Sequence, residues 1–237
     1  MKYYNTLSGI FLERPNRFIA ICLVNGVQEV CHVKNTGRCR ELLIPGTPVI
    51  LEPSQNPNRK TKYSLIAVYK NNMLVNLDAQ APNQLIWEWI QKNNFFPNLS
   101  LLKREVPYGS SRFDLYAEYG SQKAFLEIKG CTLEENGIAL FPDAPTKRGI
   151  KHIQELEDCV RDGFQAFLII VIQMKPVQLF CPNYRTHPAF GEALFHASQH
   201  GVQILAYDCK ITEHSLPNPS MEISIHTPVP ILLTPNL

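Results

Sequence analysis

Apolar and polar positions alternate in short runs through the first eighty residues, and a helical period of apolar positions begins only after them. Arg17 to Val24, Val27 to Val33, Thr47 to Glu52, Lys62 to Tyr69 and Met73 to Leu77 are rich in β-branched and aromatic side chains. Turn-forming pairs such as Asn25-Gly26 and Asn71-Asn72 separate them. Five short strands in so little chain predict a small closed β-barrel of the OB type over residues 1–80. Inside that region Asn35-Thr36-Gly37 leads into Arg38-Cys39-Arg40-Glu41-Leu42-Leu43, which reads as a capped helical turn ended by Pro45-Gly46. With Lys34, Arg38 and Arg40 around it, the start of that turn fits a phosphate cradle, and fits an ordinary capped turn with solvated charges equally well.

The pattern changes near Pro82. Ala81-Pro82-Asn83 opens a helix in which Leu85, Ile86, Trp89 and Ile90 form one stripe, with Glu88 off it. Strands are predicted at Lys103 to Pro107, Ser111 to Glu118, Lys123 to Lys129 and Ile138 to Phe141. A longer helix runs from Thr146 to Arg161, a very apolar strand from Gln165 to Ile172, a helix from Pro188 to Gln199 and a strand from Val202 to Asp208. Only the Gln165 to Ile172 run is apolar enough to be buried on both faces. The expected fold class is therefore α/β of mixed type, with a mixed sheet flanked by helices over residues 81–237. The tail after Ser215 is rich in proline and reads as loosely ordered.

Composition narrows the possibilities. A chain of 237 residues, 45% hydrophobic, can bury one sizeable core or two smaller ones. A net charge of only +2 excludes a histone-like polycation, so any nucleic-acid surface depends on local clustering. No apolar run approaches the roughly 20 residues of a membrane span, and Met1-Lys2-Tyr3-Tyr4-Asn5 lacks the apolar core of a signal peptide. A cytoplasmic protein with no membrane partner is expected. Seven cysteines, an odd number with no C-x-x-C spacing, read as reduced thiols, with no disulfide-linked partner and no structural zinc. His196 and His200 have the i,i+4 spacing of metal ligands, but the sequence supplies no third ligand beside them, and a polar helix face accounts for the pair.

The chemistry concentrates in Arg112-Phe-Asp114 and, thirteen residues after the aspartate, Glu127-Ile-Lys129-Gly130. Two carboxylates meeting at one end of a strand pair make a hard, oxygen-rich site for Mg²⁺ or Mn²⁺. Lys129 shares a strand face with Glu127 and stands ready to polarise a phosphate or hold an attacking water. That set suits metal-assisted phosphodiester cleavage. Spacing alone also fits a solvated strand face. The apolar runs Leu115-Tyr116-Ala117 and Ala124-Phe125-Leu126 shift the balance, because ionisable groups inside a buried strand pair need a function. A second cluster opens the long helix: Lys147, Arg148, Lys151 and His152, read as an outward basic face, with Ile150, Ile153, Leu156 and Val160 facing the core. Such a face suits a polyanionic backbone, and suits plain solvation too.

Phe141-Pro142-Asp143-Ala144, Thr146, Arg148-Gly149, Lys151-His152 and Glu155-Leu156 together resemble the signature of the sugar fermentation stimulation protein A family. So do Arg17-Phe18, His32-Val33, Asn35-Thr36-Gly37-Arg38, Glu41-Leu42-Leu43 with Pro45-Gly46, Asn83 with Leu85 and Glu88, and Ser111-Arg112 with Asp114. Lys34 and Pro145 depart from the proline and valine expected there. The resemblance implies an OB-like N-terminal domain, a restriction-endonuclease-like PD-(D/E)XK domain, and DNA as partner. It implies Asp114 and Glu127 as ligands of Mg or Mn, Lys129 as the catalytic lysine, and Glu88 as an extra acidic ligand. Asp143 is a further metal candidate, or a cap for the helix near residue 146. Arg17, Asn35, Arg38, Arg112, Lys147, Arg148 and Lys151 are then the DNA contacts. Two readings stand: a Mg- or Mn-dependent phosphodiesterase acting on DNA, or a non-catalytic DNA-binding regulator, indifferent to sequence, in sugar metabolism.

Overall fold

The computed structural model describes residues 1–35, 37–215 and 217–234. Its first strand, β1 (Lys2–Tyr4), is followed by β2 (Leu7–Asn16), β3 (Ile19–Val24), β4 (Val27–Val33), β5 (Pro48–Pro53), β6 (Tyr63–Lys70) and β7 (Met73–Asn76). Strands β4-β3-β2-β5-β6 lie side by side, and β4 pairs in parallel with β6 to close the five into a barrel. Of the five barrel strands only β2 has no counterpart in the sequence reading; Met73–Asn76, expected as the fifth, is a hairpin arm on the edge of β6. Asn25 and Gly26 both take positive φ in the β3–β4 hairpin, the conformation that an Asn-Gly turn supplies most cheaply. The helical turn expected at 38–43 is instead a tight turn in which Leu42 and Leu43 both donate to the Cys39 carbonyl. Thr36, part of that expectation, lies outside the described residues.

The second region starts with α1 (Ala81–Asn93), then β8 (Leu99–Tyr108), β9 (Ser111–Tyr119), β10 (Gln122–Cys131), β11 (Leu133–Glu135), β12 (Ile138–Phe141) and α2 (Lys147–Arg161). It ends with β13 (Gln165–Ile172), β14 (Leu179–Pro182), α3 (Pro188–Gln199), β15 (Gln203–His214) and β16 (Ser220–Pro228). Its main sheet runs β1-β16-β15-β13-β10-β9-β8. The β10-β13-β15 centre is parallel and the flanks antiparallel. Residues 2–4 thus belong to this sheet and not to the barrel. Within the described part of the proline-rich tail, β16 pairs with both β15 and β1, and Met221 and Ile223 alternate inward against Glu222 and Ser224.

Helices cover both faces. Leu85, Ile86 and Ile90 of α1 pack with Leu126, Ile128 and Ile169 on one face; Ile153, Leu156 and Cys159 of α2 pack with Phe125, Leu168 and Ile170 on the other. Barrel and sheet are tied by a buried polar network. Gln173, at the end of β13, donates to Asn76 Oδ1 at 2.8 Å and to the Asp78 carbonyl at 2.9 Å, and Asp78 accepts from Lys34 and from the Tyr3 hydroxyl, each at 3.2 Å. Buried polar groups so fully partnered fix one relative placement of the two regions.

Candidate metal centre

Strands β9 and β10 separate where the two carboxylates meet. Their register runs from Gln122↔Tyr119 to Leu126↔Leu115 and stops one pair short of Glu127 and Asp114. Beyond it, β10 continues alongside β13 while β9 stays with β8. Phe113 packs with Phe125 and His152 on the α2 side, and Leu115 on the α1 side, so the alternation of faces breaks at Asp114. Its carboxylate lies in the fork: Oδ2 accepts the Ile128 N–H at 2.8 Å, in place of the lost ladder bond, and Oδ1 accepts from Asn83 Nδ2 at 2.8 Å. Gly130 lets α1 come this close. A Cβ there would stand 2.8 Å from Pro82 and 2.5 Å from Gln173, so only glycine allows the helix start to deliver Asn83.

Glu127 is buried on the opposite prong. Its Oε1 accepts from Lys129 Nζ and from His152 Nδ1, while Oε2 is buried without a hydrogen-bond partner among the described residues. Arg148 Nε donates to His152 Nε2 at 3.3 Å, which assigns the proton of the imidazole to Nδ1. A chain of donors thus leads from exposed Arg148 through His152 to buried Glu127. The two carboxylates titrate apart. Burial, and then the charge of Glu127, push Asp114 up to about 6, against opposing hydrogen bonds from Ile128 and Asn83. Burial also acts to raise Glu127, but its hydrogen bond from His152 and the charge of Lys129 outweigh that and hold it below the ordinary range.

The fork fits a divalent cation. An orphaned buried carboxylate oxygen, and a neighbouring carboxylate that burial and like charge keep from ionising easily, are both relieved by a cation between them. The donors are all hard oxygens, the set preferred by Mg²⁺, Mn²⁺ or Ca²⁺.

The other predicted residues fall in different places. Glu88 is not brought to the fork: it lies five residues beyond Asn83, about 140° round the helix, and accepts from the Met1 amino group and from Gln84. Asp143 neither joins the fork nor caps α2. Thr146 is the cap, accepting from the Gly149 N–H at 2.9 Å, while Asp143 Oδ2 accepts the backbone N–H of Arg38 across the barrel boundary at 3.1 Å. Asn35 closes its own turn on the Gly37 N–H at 2.7 Å. Lys147, Arg148, Lys151 and Arg112 are exposed, but His152, expected on that outward face, is buried against Glu127.

Two residues were missed. Asn83, which the sequence offers as part of a helix start and of the family resemblance but with no role at the site, orients Asp114. Arg14 belongs to no motif legible in the sequence: its guanidinium donates to the carbonyls of Arg17, Asn35, Gly37 and Arg38 at 2.7–2.8 Å, riveting the turn that carries the basic side chains. Arg17, Arg38 and Arg40 then line a groove of about 540 Å³ that reaches Ala144, next to the start of α2. A second cleft of about 340 Å³, lined by Asn35, Asp143, Thr146 and Gln173, runs between barrel and sheet up to Gly130, the residue after Lys129. Both cavities lie at the boundary of barrel and sheet, and neither is lined by Asp114, Glu127 or Lys129.

A closed five-stranded barrel followed by a forked mixed sheet defines a two-domain protein of the OB-plus-RE class, and the matches agree. Residues 12–77 match the SfsA N-terminal OB domain, and residues 80–215 the Sugar fermentation stimulation protein RE domain. The chain belongs to the sugar fermentation stimulation protein family. It is 54% identical over 216 residues to the sugar fermentation stimulation protein homolog of Desulfitobacterium hafniense strain Y51, covering 91% of this chain and 94% of that one. It is 55% identical over 213 residues to that of Ruminiclostridium cellulolyticum, covering 90% and 94%. The structure of Pyrococcus furiosus SfsA in complex with Ca²⁺ superposes with a TM-score of 0.86 at 28% identity over 98% of each chain.

Proposed function

We propose that this protein is a divalent-metal-dependent phosphodiesterase acting on DNA, with Asp114 and Glu127 holding the metal and Lys129 as the catalytic lysine. The observation that carries the reading is the fork, where Glu127 keeps a buried, unpartnered oxygen and its charge helps oppose the ionisation of Asp114. The Ca²⁺ complex of the Pyrococcus furiosus relative supports a cation on this fold. When bound, Mg²⁺ or Mn²⁺ supplies charge stabilisation to a phosphoryl oxygen and acidifies a bound water. Lys129, now on Glu127, orients the attacking water and offsets negative charge that develops on the phosphate. His152 holds Glu127 in place, and Arg148 ties that pair to the exposed rim. Lys147, Lys151, Arg112, Arg17 and Arg38 bind phosphates on either side, so that affinity is mainly electrostatic. Seven buried free cysteines fit a reducing, cytoplasmic setting, and among the described residues no helix is long and apolar enough to cross a membrane.

One observation favours a binding role without cleavage: the barrel groove of Arg17, Arg38 and Arg40 is assembled by Arg14 without any contribution from the fork. Incubating the protein with DNA and Mn²⁺ beside Asp114→Ala decides between the two. Cleavage by the wild type and not by the variant supports the enzyme. Intact DNA in both, with binding retained, supports the regulator.

A further inference from the structure

Away from the fork, the outer helices bring together three side chains that the function above does not use. Glu157 on α2 and His196 and His200 at the end of α3 each offer a ligand atom, and the three atoms lie within 4.8 Å of one another. No third ligand stands beside the two histidines along the chain; folding supplies one from the neighbouring helix. His200 Nδ1 donates to the His196 carbonyl at 2.8 Å, which fixes its tautomer and leaves the Nε2 lone pair available. Glu157 Oε1 accepts from His196 Nδ1 at 3.0 Å. The two imidazoles lie stacked, 4.0 Å between ring centres, and His196 is 60% exposed while Glu157 is 12% exposed. An anchored carboxylate beneath two accessible imidazoles is a ligand set with an open side.

We propose that Glu157, His196 and His200 form a zinc site, with two imidazole nitrogens and one carboxylate oxygen as protein ligands and the fourth position open to water. Tetrahedral zinc, with Zn–N and Zn–O of about 2.0–2.2 Å, separates its ligand atoms by about 3.3 Å. The His196–Glu157 contact at 3.0 Å already has nearly that separation, and a metal takes the place of the shared proton. To aim a nitrogen at the same ion the His200 ring turns out of the stack and gives up its bond to the His196 carbonyl, a rotation that its surface position permits. The donor set also selects against the cation of the fork: imidazole nitrogen suits Zn²⁺, Cu²⁺ and Ni²⁺, and carboxylate alone suits Mg²⁺ and Ca²⁺. Bound there, zinc clips α2 to α3 on the outside of the domain.

The test is calorimetric titration of untagged protein with Zn²⁺ in a large excess of Ca²⁺, which occupies the fork. Wild type takes up one equivalent of Zn²⁺ and melts at a higher temperature. His196→Ala and His200→Ala each weaken binding by about a hundredfold or more, since loss of an outer-shell partner alone costs 10–100-fold. Asp114→Asn leaves the zinc affinity unchanged. Unaltered affinity in either histidine variant overturns the site, as does zinc lost in Asp114→Asn and kept in His196→Ala, which assigns the ion to the fork. Cu²⁺ bound to the wild type gives an independent reading by electron paramagnetic resonance. Hyperfine coupling to two imidazole nitrogens supports the proposal, and coupling to one or none overturns it.

Discussion

Around the barrel's 35–40 turn, basic side chains lie on the surface while a single arginine beneath them satisfies the backbone; at the fork, two carboxylates are drawn into the sheet with one oxygen left unsatisfied. Both regions are charged, but the energetics differ. Exposed Arg17, Arg38 and Arg40 cost little to keep, gain little from one another, and act through the field they create. The fork carries the desolvation of Glu127 and the like charge of Asp114, which only a ligand relieves fully. A rim of the first kind presents a positive field at the surface. A site of the second kind is one whose buried, like-charged carboxylates a cation would relieve.

The sharpest way to break this comparison is to remove chemistry without removing charge from the rim. Under the phosphodiesterase reading, Lys129→Met loses about 10²–10³-fold in cleavage rate, the scale for one preorganised electrostatic group, while DNA binding changes by no more than a few-fold. Single-turnover kinetics at saturating DNA and Mn²⁺ measures this. A variant that cleaves at the wild-type rate removes Lys129 from the site.

Next in size is His152. Its replacement by Ala deletes a hydrogen bond to a buried carboxylate, about 2 kcal/mol, or about 4–8 °C in Tm at this chain length. Metal should restore part of that loss by taking over the charge of Glu127. Differential scanning calorimetry with and without Ca²⁺ reads both effects, and a Tm equal to wild type would show that the imidazole contributes nothing to holding Glu127.

His152 also shows what was legible. The Asp114, Glu127 and Lys129 set stood out because three ionisable residues interrupt apolar strands, an anomaly that period two makes visible. The fork itself did not, since a break in pairing has no residue signature. On α2 the apolar stripe centres on Ile150 and Ile153 when histidine counts as polar. The buried residues Gly149, His152, Ile153, Glu155, Leu156 and Cys159 place its true centre beside His152. The barrel was legible from its hairpins, although β2 was hidden by Gly9 and by Glu13-Arg14-Pro15-Asn16. Strand β16 was readable in the alternation Met221-Glu222-Ile223-Ser224-Ile225, and the surrounding prolines obscured it. Glu88 shows the limit in the other direction: an acid on the right helix is turned about 140° from Asn83, which no composition reveals.

A smaller effect tests the rim. Arg17→Ala and Arg38→Ala should each reduce the log–log salt slope of duplex binding by about 0.9 and weaken affinity equally for unrelated sequences. Titrations at several salt concentrations check this, and a loss confined to one DNA sequence would mean that the groove reads bases.

The smallest effect concerns pH and bears most directly on what distinguishes fork from rim. Asp114 titrates at about 6 in the fold, against about 3.9 in an unfolded chain. Between those values the folded state binds more protons, so the contribution of Asp114 to stability falls as pH rises from about 4 to about 6 and is constant above that. Glu127, held low, works in the opposite sense, with a contribution present above its unfolded value and lost as pH falls through its folded one. The two are separated by subtracting wild-type stability from that of Asp114→Asn. Asparagine can keep one acceptor on the Ile128 N–H, and Asn83 can turn its own amide to meet the new donor, so the subtraction isolates the charge. The difference should rise in favour of the variant across pH 4 to 6 by about 1–2 kcal/mol, below the full value of the shift because the fork is partly open to solvent. Saturating Ca²⁺ should reverse its sign above pH 6, since only the wild type then gains the binding energy of the ion. A difference curve flat with pH would mean that Asp114 ionises as freely as a surface carboxylate, and the fork would then be no more than a second charged surface.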